Sequence, residues 1–193
     1  MRGVAVVLIA LSGWGCGSGG RGGARPGVPP TFGFGRSATA PEITAWDIDV
    51  RPDGLGLPPG SGTARAGAAV YAARCAMCHG VTGSEARWPN PKLVGREPRQ
   101  GFPFGRNPRL VKTVGNYWPF ATTLYDYINR AMPLNAPGSL TPDEVYGVVA
   151  YVLWRNEIIA DTAVIDARTL PQVVMPARDR FVIDDRRGGP GIR

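Results

Sequence analysis

The chain is short of the residues from which most catalytic and metal sites are built. Of 193 residues, one is histidine and three are cysteine. A structural zinc site takes four protein ligands, commonly from two clusters, and the only cysteine outside the pair at 75 and 78 is Cys16, near the start. The unbroken apolar run at residues 4–11 is too short for a bilayer span, which needs about 20 residues. Acidic residues are also fewer than basic ones, 15 against 22, for a net charge of +7. That excess is modest for a nucleic-acid binder, and neither a basic helix nor aromatic-basic interleaving is present, so no nucleic-acid partner is expected. The charge suits steering of an acidic protein partner instead. No internal repeat is visible. In contrast, glycine (27) and proline (19) are abundant, so much of the chain should lie outside regular structure, while 44% hydrophobic residues support one folded core.

The most informative stretch is Cys75-Ala76-Met77-Cys78-His79. Two thiols three positions apart can add to the two vinyl groups of one porphyrin, and the next residue then offers an imidazole to the iron. This is the spacing of c-type haem attachment, and His79 is the only histidine available. A thioredoxin-like redox pair would want a preceding strand in a βαβ setting, whereas the residues before Cys75 have helical spacing. The expected cofactor is one covalent haem c, bound by Cys75, Cys78 and His79. Haem leaves no spare pair for a disulfide.

The first 15 residues have the form of an export signal: Arg2, the apolar run, then Gly13 and Gly15 around Trp14. Cys16, immediately after, suits a bacterial lipoprotein with the lipid on its thiol, or else a cysteine lost with the leader or left as a free thiol. Either way the chain is expected to leave the cytoplasm for the periplasm, and on the lipoprotein reading it is tethered to a membrane through Cys16. Residues 17–30 are rich in Gly, Pro and Arg and read as a flexible tether. Residues 31–62, with Phe32, Phe34, Trp46 and Ile48 among Pro and Gly, read as an extended arm.

Three helices are expected in the domain at residues 63–156. The first covers 63–74, with Gly67, Val70, Tyr71, Arg74 and Cys75 on one face. The second covers 122–130, with Leu124, Tyr127 and Ile128 inward. The third begins after Leu140, where Thr141, Pro142 and Glu144 form an N-cap, a first-turn proline and a capping box. It carries two apolar stripes, one of Val145, Val148, Val149 and Val152, the other of Gly147, Tyr151 and Trp154. Gly67 and Tyr71 are expected to meet Gly147 and Tyr151. The tail at 157–193 holds apolar residues that need burial without helical spacing, as an arm on its own domain or a strap across a partner.

Further haem contacts can be placed by asking what a bound haem requires. An iron-bound histidine needs an acceptor for its second nitrogen, and the Pro91 carbonyl is the candidate, with Leu93 covering the porphyrin. Trp118 needs a partner for its indole N–H, which a haem propionate would supply; a core aromatic is the plain alternative. Pro133 stops the second helix and leaves Met132 on an extended loop, the expected sixth ligand, since Met/His ligation raises the potential of a haem. Met175 is the rival, and Met77 faces away. Residues 85–112 hold Arg87, Lys92, Arg96, Arg99, Arg106, Arg109 and Lys112 against Glu85 and Glu97. They are either solvated surface, or a docking face for an acidic partner or for haem propionates.

The order of helix, Cys-x-x-Cys-His, Met-Pro and a final Tyr-Val-Leu helix resembles class I cytochromes c. The stretch Thr113-Val-Gly-Asn-Tyr-Trp-Pro-Phe-Ala-Thr-Thr-Leu-Tyr-Asp-Tyr-Ile128 and the tail Asp166-Ala-Arg-Thr-Leu-Pro-Gln-Val-Val-Met-Pro-Ala-Arg-Asp179 are similar to the cytochrome subunits of bacterial sulfite and sulfane dehydrogenases. The resemblance implies an all-α, class I cytochrome c fold of three to five short helices around one haem, with long irregular N- and C-terminal extensions. It further implies an electron-transfer subunit, not itself an enzyme, beside a molybdenum-containing partner in sulfur oxidation. Electrons would leave by a ring edge exposed near Cys78, toward a downstream cytochrome or an oxidase. The alternatives are a freestanding membrane-tethered shuttle, a cytochrome partner of another dehydrogenase such as a quinoprotein, and, if Met132 left the iron open, a sensor or enzyme for a gas or peroxide.

Overall fold

The computed structural model describes residues 33–85 and 89–182. The leader, Cys16, the tether at 17–30 and Arg87 lie outside these residues. The chain divides into two units, Met1–Thr39 and Ala40–Arg193. Of the first, residues 33–39 are described and carry neither helix nor strand. The second holds the described helices α1 (Ala40–Trp46), α2 (Ala64–Arg74), α3 (Ala76–His79), α4 (Ala121–Ala131) and α5 (Pro142–Arg155), and the strands β1 (Ser61–Thr63) and β2 (Val164–Asp166).

Helix α5 is the centre of the core. Thr141 caps it: its Oγ1 accepts the Glu144 amide at 3.3 Å, and the Glu144 carboxylate accepts the Thr141 amide at 2.7 Å, with Pro142 in the first turn. Every residue from Val145 to Leu153 is buried, the mark of a helix covered on all sides. Helix α2 crosses it at glycine. A Cβ on Gly67 would stand 1.8 Å from the Gly147 carbonyl oxygen, so the two backbones touch. The Tyr71 and Tyr151 rings pack beside the crossing with centroids 4.8 Å apart. Thr63 caps α2 by accepting the Ala66 amide at 3.2 Å.

Helix α4 packs on α5 through Leu124, Tyr125 and Ile128. Tyr127, expected inward, is 48% exposed, and Tyr125 takes the core position with no exposed surface. The buried face runs through 121, 122, 124, 125 and 128, which turns residue 127 toward the surface and edge-on to Trp118. Trp154, placed on an inward stripe, is 37% exposed and carries Arg155 over its ring.

The arm is not wholly extended. It opens with α1, and its later part is bound to the core by hydrogen bonds. The Val50 amide donates to Asp126 Oδ1 at 2.8 Å, Thr122 Oγ1 donates to the Pro52 carbonyl at 3.0 Å, and the Tyr146 hydroxyl to the Pro58 carbonyl at 2.8 Å. β1 then pairs antiparallel with β2, Gly62 opposite Ile165. Ile165 in β2 and Leu170, Met175 and Ala177 beyond it are buried, so this part of the tail lies on its own domain. Among the described residues no helix is long and apolar enough to cross a membrane.

Replacing Gly67 by alanine should force α2 and α5 apart and cost about 1–3 kcal/mol, the usual range for overpacking. Gly105→Ala, which meets open space, should be near neutral; equal melting temperatures for the two variants would contradict the crossing. A second expectation concerns pH. Burial pushes the Tyr146 phenol from 10.0 up to about 12, and those of Tyr71 and Tyr125 further up. The folded state keeps these protons where the unfolded chain releases them. Their contribution to stability is whole below pH 10 and declines as pH rises toward about 12, which thermal melts at successive alkaline pH values would show.

Candidate haem site

Helix α2 delivers the attachment motif. It ends at Cys75, whose amide donates to the Tyr71 carbonyl at 2.9 Å. The Cys75 carbonyl then accepts Cys78 N–H at 3.1 Å and His79 N–H at 3.0 Å, so α3 is a single turn. Residues three apart on such a turn are neighbours on one face, which sets Cys75 and Cys78 side by side. Both thiols are unpaired; Cys75 is half-buried and Cys78 exposed. Burial pushes the Cys75 thiol up to about 11, with Arg74 opposing the shift and Cys78 adding to it. It is therefore a neutral thiol near neutral pH. Tyr71 steadies the end of the motif by donating from its hydroxyl to the Gly80 carbonyl at 3.0 Å.

The imidazole of His79 has Nδ1 2.9 Å from the carbonyl oxygen of Pro91. A carbonyl only accepts, so Nδ1 carries the proton and Nε2 is left unprotonated, with its lone pair free to bind a metal. The Pro91 carbonyl is placed by the run that follows it. Leu93 and Val94 donate from their amides to the Gly83 carbonyl at 2.9 and 3.0 Å, and Val114 N–H donates to the Leu93 carbonyl at 3.1 Å. Leu93 itself is half-buried against the core.

The four methionines separate clearly. Met1 is outside the described residues. Met77 is 90% exposed, and Met175 is 1% exposed, enclosed by the core. Met132 is the C-cap of α4, in an extended conformation, half-buried against the core cluster. Trp118 is also half-buried, but its indole N–H donates to Thr123 Oγ1 at 3.0 Å. That bond removes the need for a propionate as its partner, which was the reason for expecting one.

The basic stretch is smaller than its sequence count. Arg96 donates to the Asn156 carbonyl at 2.9 Å at the end of α5, where a cation suits the helix dipole. Arg99 is paired with Glu97 and Glu157 at 3.2 and 3.1 Å, and Lys112 lies 4.5 Å over the Tyr117 ring. Arg99 and Lys112 stay exposed while so engaged, and Lys92, Arg106 and Arg109 are the other exposed cations described in this stretch.

The residues fit a covalent haem: two unpaired thiols on one turn, an imidazole with Nε2 free, and a thioether at a helix end. Among the described residues no cluster of three or more His, Cys, Asp or Glu could hold a bare metal ion. Sequence reasoning did not find Asn156, which is buried and bonded to the Leu93–Gly95 run, nor Gly115 beside it. The only local signal was an asparagine just past the end of a strong helix, and its partners lie some sixty residues away.

Residues 62–152 match the protein family described as cytochrome C oxidase, cbb3-type, subunit III. With the Cys-x-x-Cys-His turn and its oriented histidine, this makes the chain a member of the c-type cytochromes. Within that family it is similar to a chain in the crystal structure of the sulfane dehydrogenase SoxCD from Paracoccus pantotrophus. That chain is 40% identical, with a TM-score of 0.69, and the match covers 81% of this chain and 74% of that one. No curated protein matches.

Proposed function

We propose that this chain is a monohaem electron-transfer subunit. Its partner would be the molybdenum-containing catalytic subunit of a sulfane or sulfite dehydrogenase in the bacterial periplasm. Bound haem c supplies a one-electron ferrous–ferric couple. Cys75 and Cys78 would hold it covalently, His79 would offer Nε2 and Met132 its thioether to the iron, and Leu93 would lie against the ring. So held, the iron would have no place for substrate, and the subunit would pass electrons onward to a cytochrome or oxidase and leave substrate chemistry to the partner. The observation that carries the reading is the His79 to Pro91 hydrogen bond, which prepares the imidazole as a ligand. The extent of the match to the sulfane dehydrogenase chain supports the partner, because it takes in much of the arm and tail beyond residues 62–152. Met132 is favoured over Met175 because a ligand must face the haem, and Met175 is enclosed by protein.

The arm supports a docking role. Helix α1 buries none of its seven residues, and Ile43 and Trp46 are 55% and 87% exposed. A helix this short is marginal without packing. Asp47, Asp49 and Asp53 stand close by in sequence, so the surface that receives it would be an apolar groove with a basic rim on the catalytic subunit. A second reading, a freestanding shuttle tethered through lipid on Cys16, is favoured by the Gly/Pro-rich segment that follows that residue.

Two experiments bear on this. Met132→Ala should lower the midpoint potential, abolish the methionine–iron charge-transfer band and open the ferrous protein to carbon monoxide. Unchanged spectra would remove Met132 from the iron, and rapid carbon monoxide binding by the unaltered protein would favour the open-site alternative. The native protein should co-purify with a molybdenum protein, and Ile43→Ala with Trp46→Ala should weaken that association at least tenfold without altering the haem spectrum. Purification alone would favour the tethered shuttle.

A further inference from the structure

Asn156 is 1% exposed at the C-cap of α5, and every polar atom of its amide is in use. Its Oδ1 accepts the Gly95 amide at 2.9 Å. Its Nδ2 donates to the Leu93 carbonyl at 3.1 Å and to the Val152 carbonyl at 2.9 Å. One side chain thus joins the buried central helix of the domain to both ends of the Leu93–Gly95 run. The other anchors of that run are the Gly83 carbonyl, Val114 N–H and Thr113 Oγ1, which donates to the Gly95 carbonyl. Pro91, two residues upstream, is exposed, has no amide proton, and among the described residues has one hydrogen bond, that of its carbonyl with His79. Where that carbonyl stands is therefore decided by where Leu93 is held.

Gly115 shows how closely the clamp is fitted. A Cβ there would lie 2.2 Å from Asn156 Oδ1 and 2.6 Å from the Gly95 carbonyl oxygen. Any side chain at 115 would push the amide and the run apart.

We infer that Asn156 is a positioning residue for the axial histidine: by tying Leu93 and Gly95 to the end of α5 it fixes the Pro91 carbonyl at His79 Nδ1. The strength of that hydrogen bond governs how basic the imidazole is toward the iron, since partners of a ligating histidine tune the metal it binds. Asn156 thereby sets the potential from a position that touches neither iron nor ring. The inference rests on His79 as iron ligand.

The test is Asn156→Leu in the full-length, haem-loaded protein. Leucine is close in volume and adds no charge, but has neither an N–H for Leu93 and Val152 nor an acceptor for Gly95. The expected result is a higher midpoint potential, because a weaker hold on Nδ1 makes the imidazole a poorer donor to ferric iron. The His79 Nδ1 proton should exchange faster with solvent, and the six-coordinate low-spin spectrum should be retained. An unchanged potential and an unchanged His79 proton, with faster exchange only at the Gly95 amide, would reduce Asn156 to a structural role and overturn the inference. Should that variant fail to mature, Gly115→Ala asks the same question from the opposite side of the clamp, with the same shift expected. In the unaltered protein, the Asn156 side-chain amide protons should exchange as slowly as the Gly95 amide; free exchange would also overturn it. Loss of the reading beneath it looks different: the unaltered protein would then show no iron-bound imidazole at residue 79.

Discussion

Two helix backbones in direct contact at Gly67 and Gly147 fix the geometry on which everything else depends. A Cβ at residue 67 would run into the α5 backbone, and one at residue 147 would meet the Gly67 nitrogen at 3.1 Å, tighter than ordinary contact; this approach sets the axial position of α2 against α5. Cys75 is the residue at which α2 ends, so the crossing determines where the attachment turn begins. The same part of α5 also receives Gly62 of β1, whose Cβ would stand 2.1 Å from the Gly147 amide nitrogen. The arm, the first helix and, through β2, the tail are thereby referred to one stretch of α5. The extensions are parts of the scaffold as much as appendages to it.

The histidine is oriented without a carboxylate. Its acceptor is a neutral backbone carbonyl, just before a run held by three backbone-to-backbone hydrogen bonds and three to the side chains of Asn156 and Thr113. A carboxylate would place a full negative charge beside the ligand and favour ferric iron more strongly. A carbonyl gives a weaker push, which suits the electron-transfer role proposed above, with Met132 as the second ligand. Arg96 and Arg99 close the lower end of this region by bonding to the end of α5 and to Glu157, so much of the local positive charge is spent on structure and less is left for docking.

What was legible in the sequence was local or periodic. The capping box at Thr141, the end of α4 at Met132 before Pro133, and the pairing of Gly67 and Tyr71 with Gly147 and Tyr151 all follow from spacing and from the stereochemistry of single residues. The candidate acceptor Pro91 could be named by asking what a ligating histidine requires and which nearby group can only accept. What was not legible depended mostly on partners remote in the chain. Tyr125 and Tyr127 are both aromatic, both within α4, and only the packing of α4 on α5 shows which is inside. Trp118 finds Thr123 within its own neighbourhood, a bond that no spacing rule announces. Helix α1 sits among prolines and glycines in a segment without clear periodicity. Asn156 is one of many asparagines that follow a helix, and its role appears only when the run sixty residues earlier is folded against it.

The central claim is that one imidazole and one thioether hold the iron, and that they are His79 and Met132. The most direct measurement is the proton spectrum of the reduced protein, in which the methyl group of an axial methionine is moved far upfield by the ring current of the haem. A single three-proton resonance of this kind, assigned by isotope labelling to Met132, is the predicted result. Its absence, or its assignment to Met175, would contradict the account.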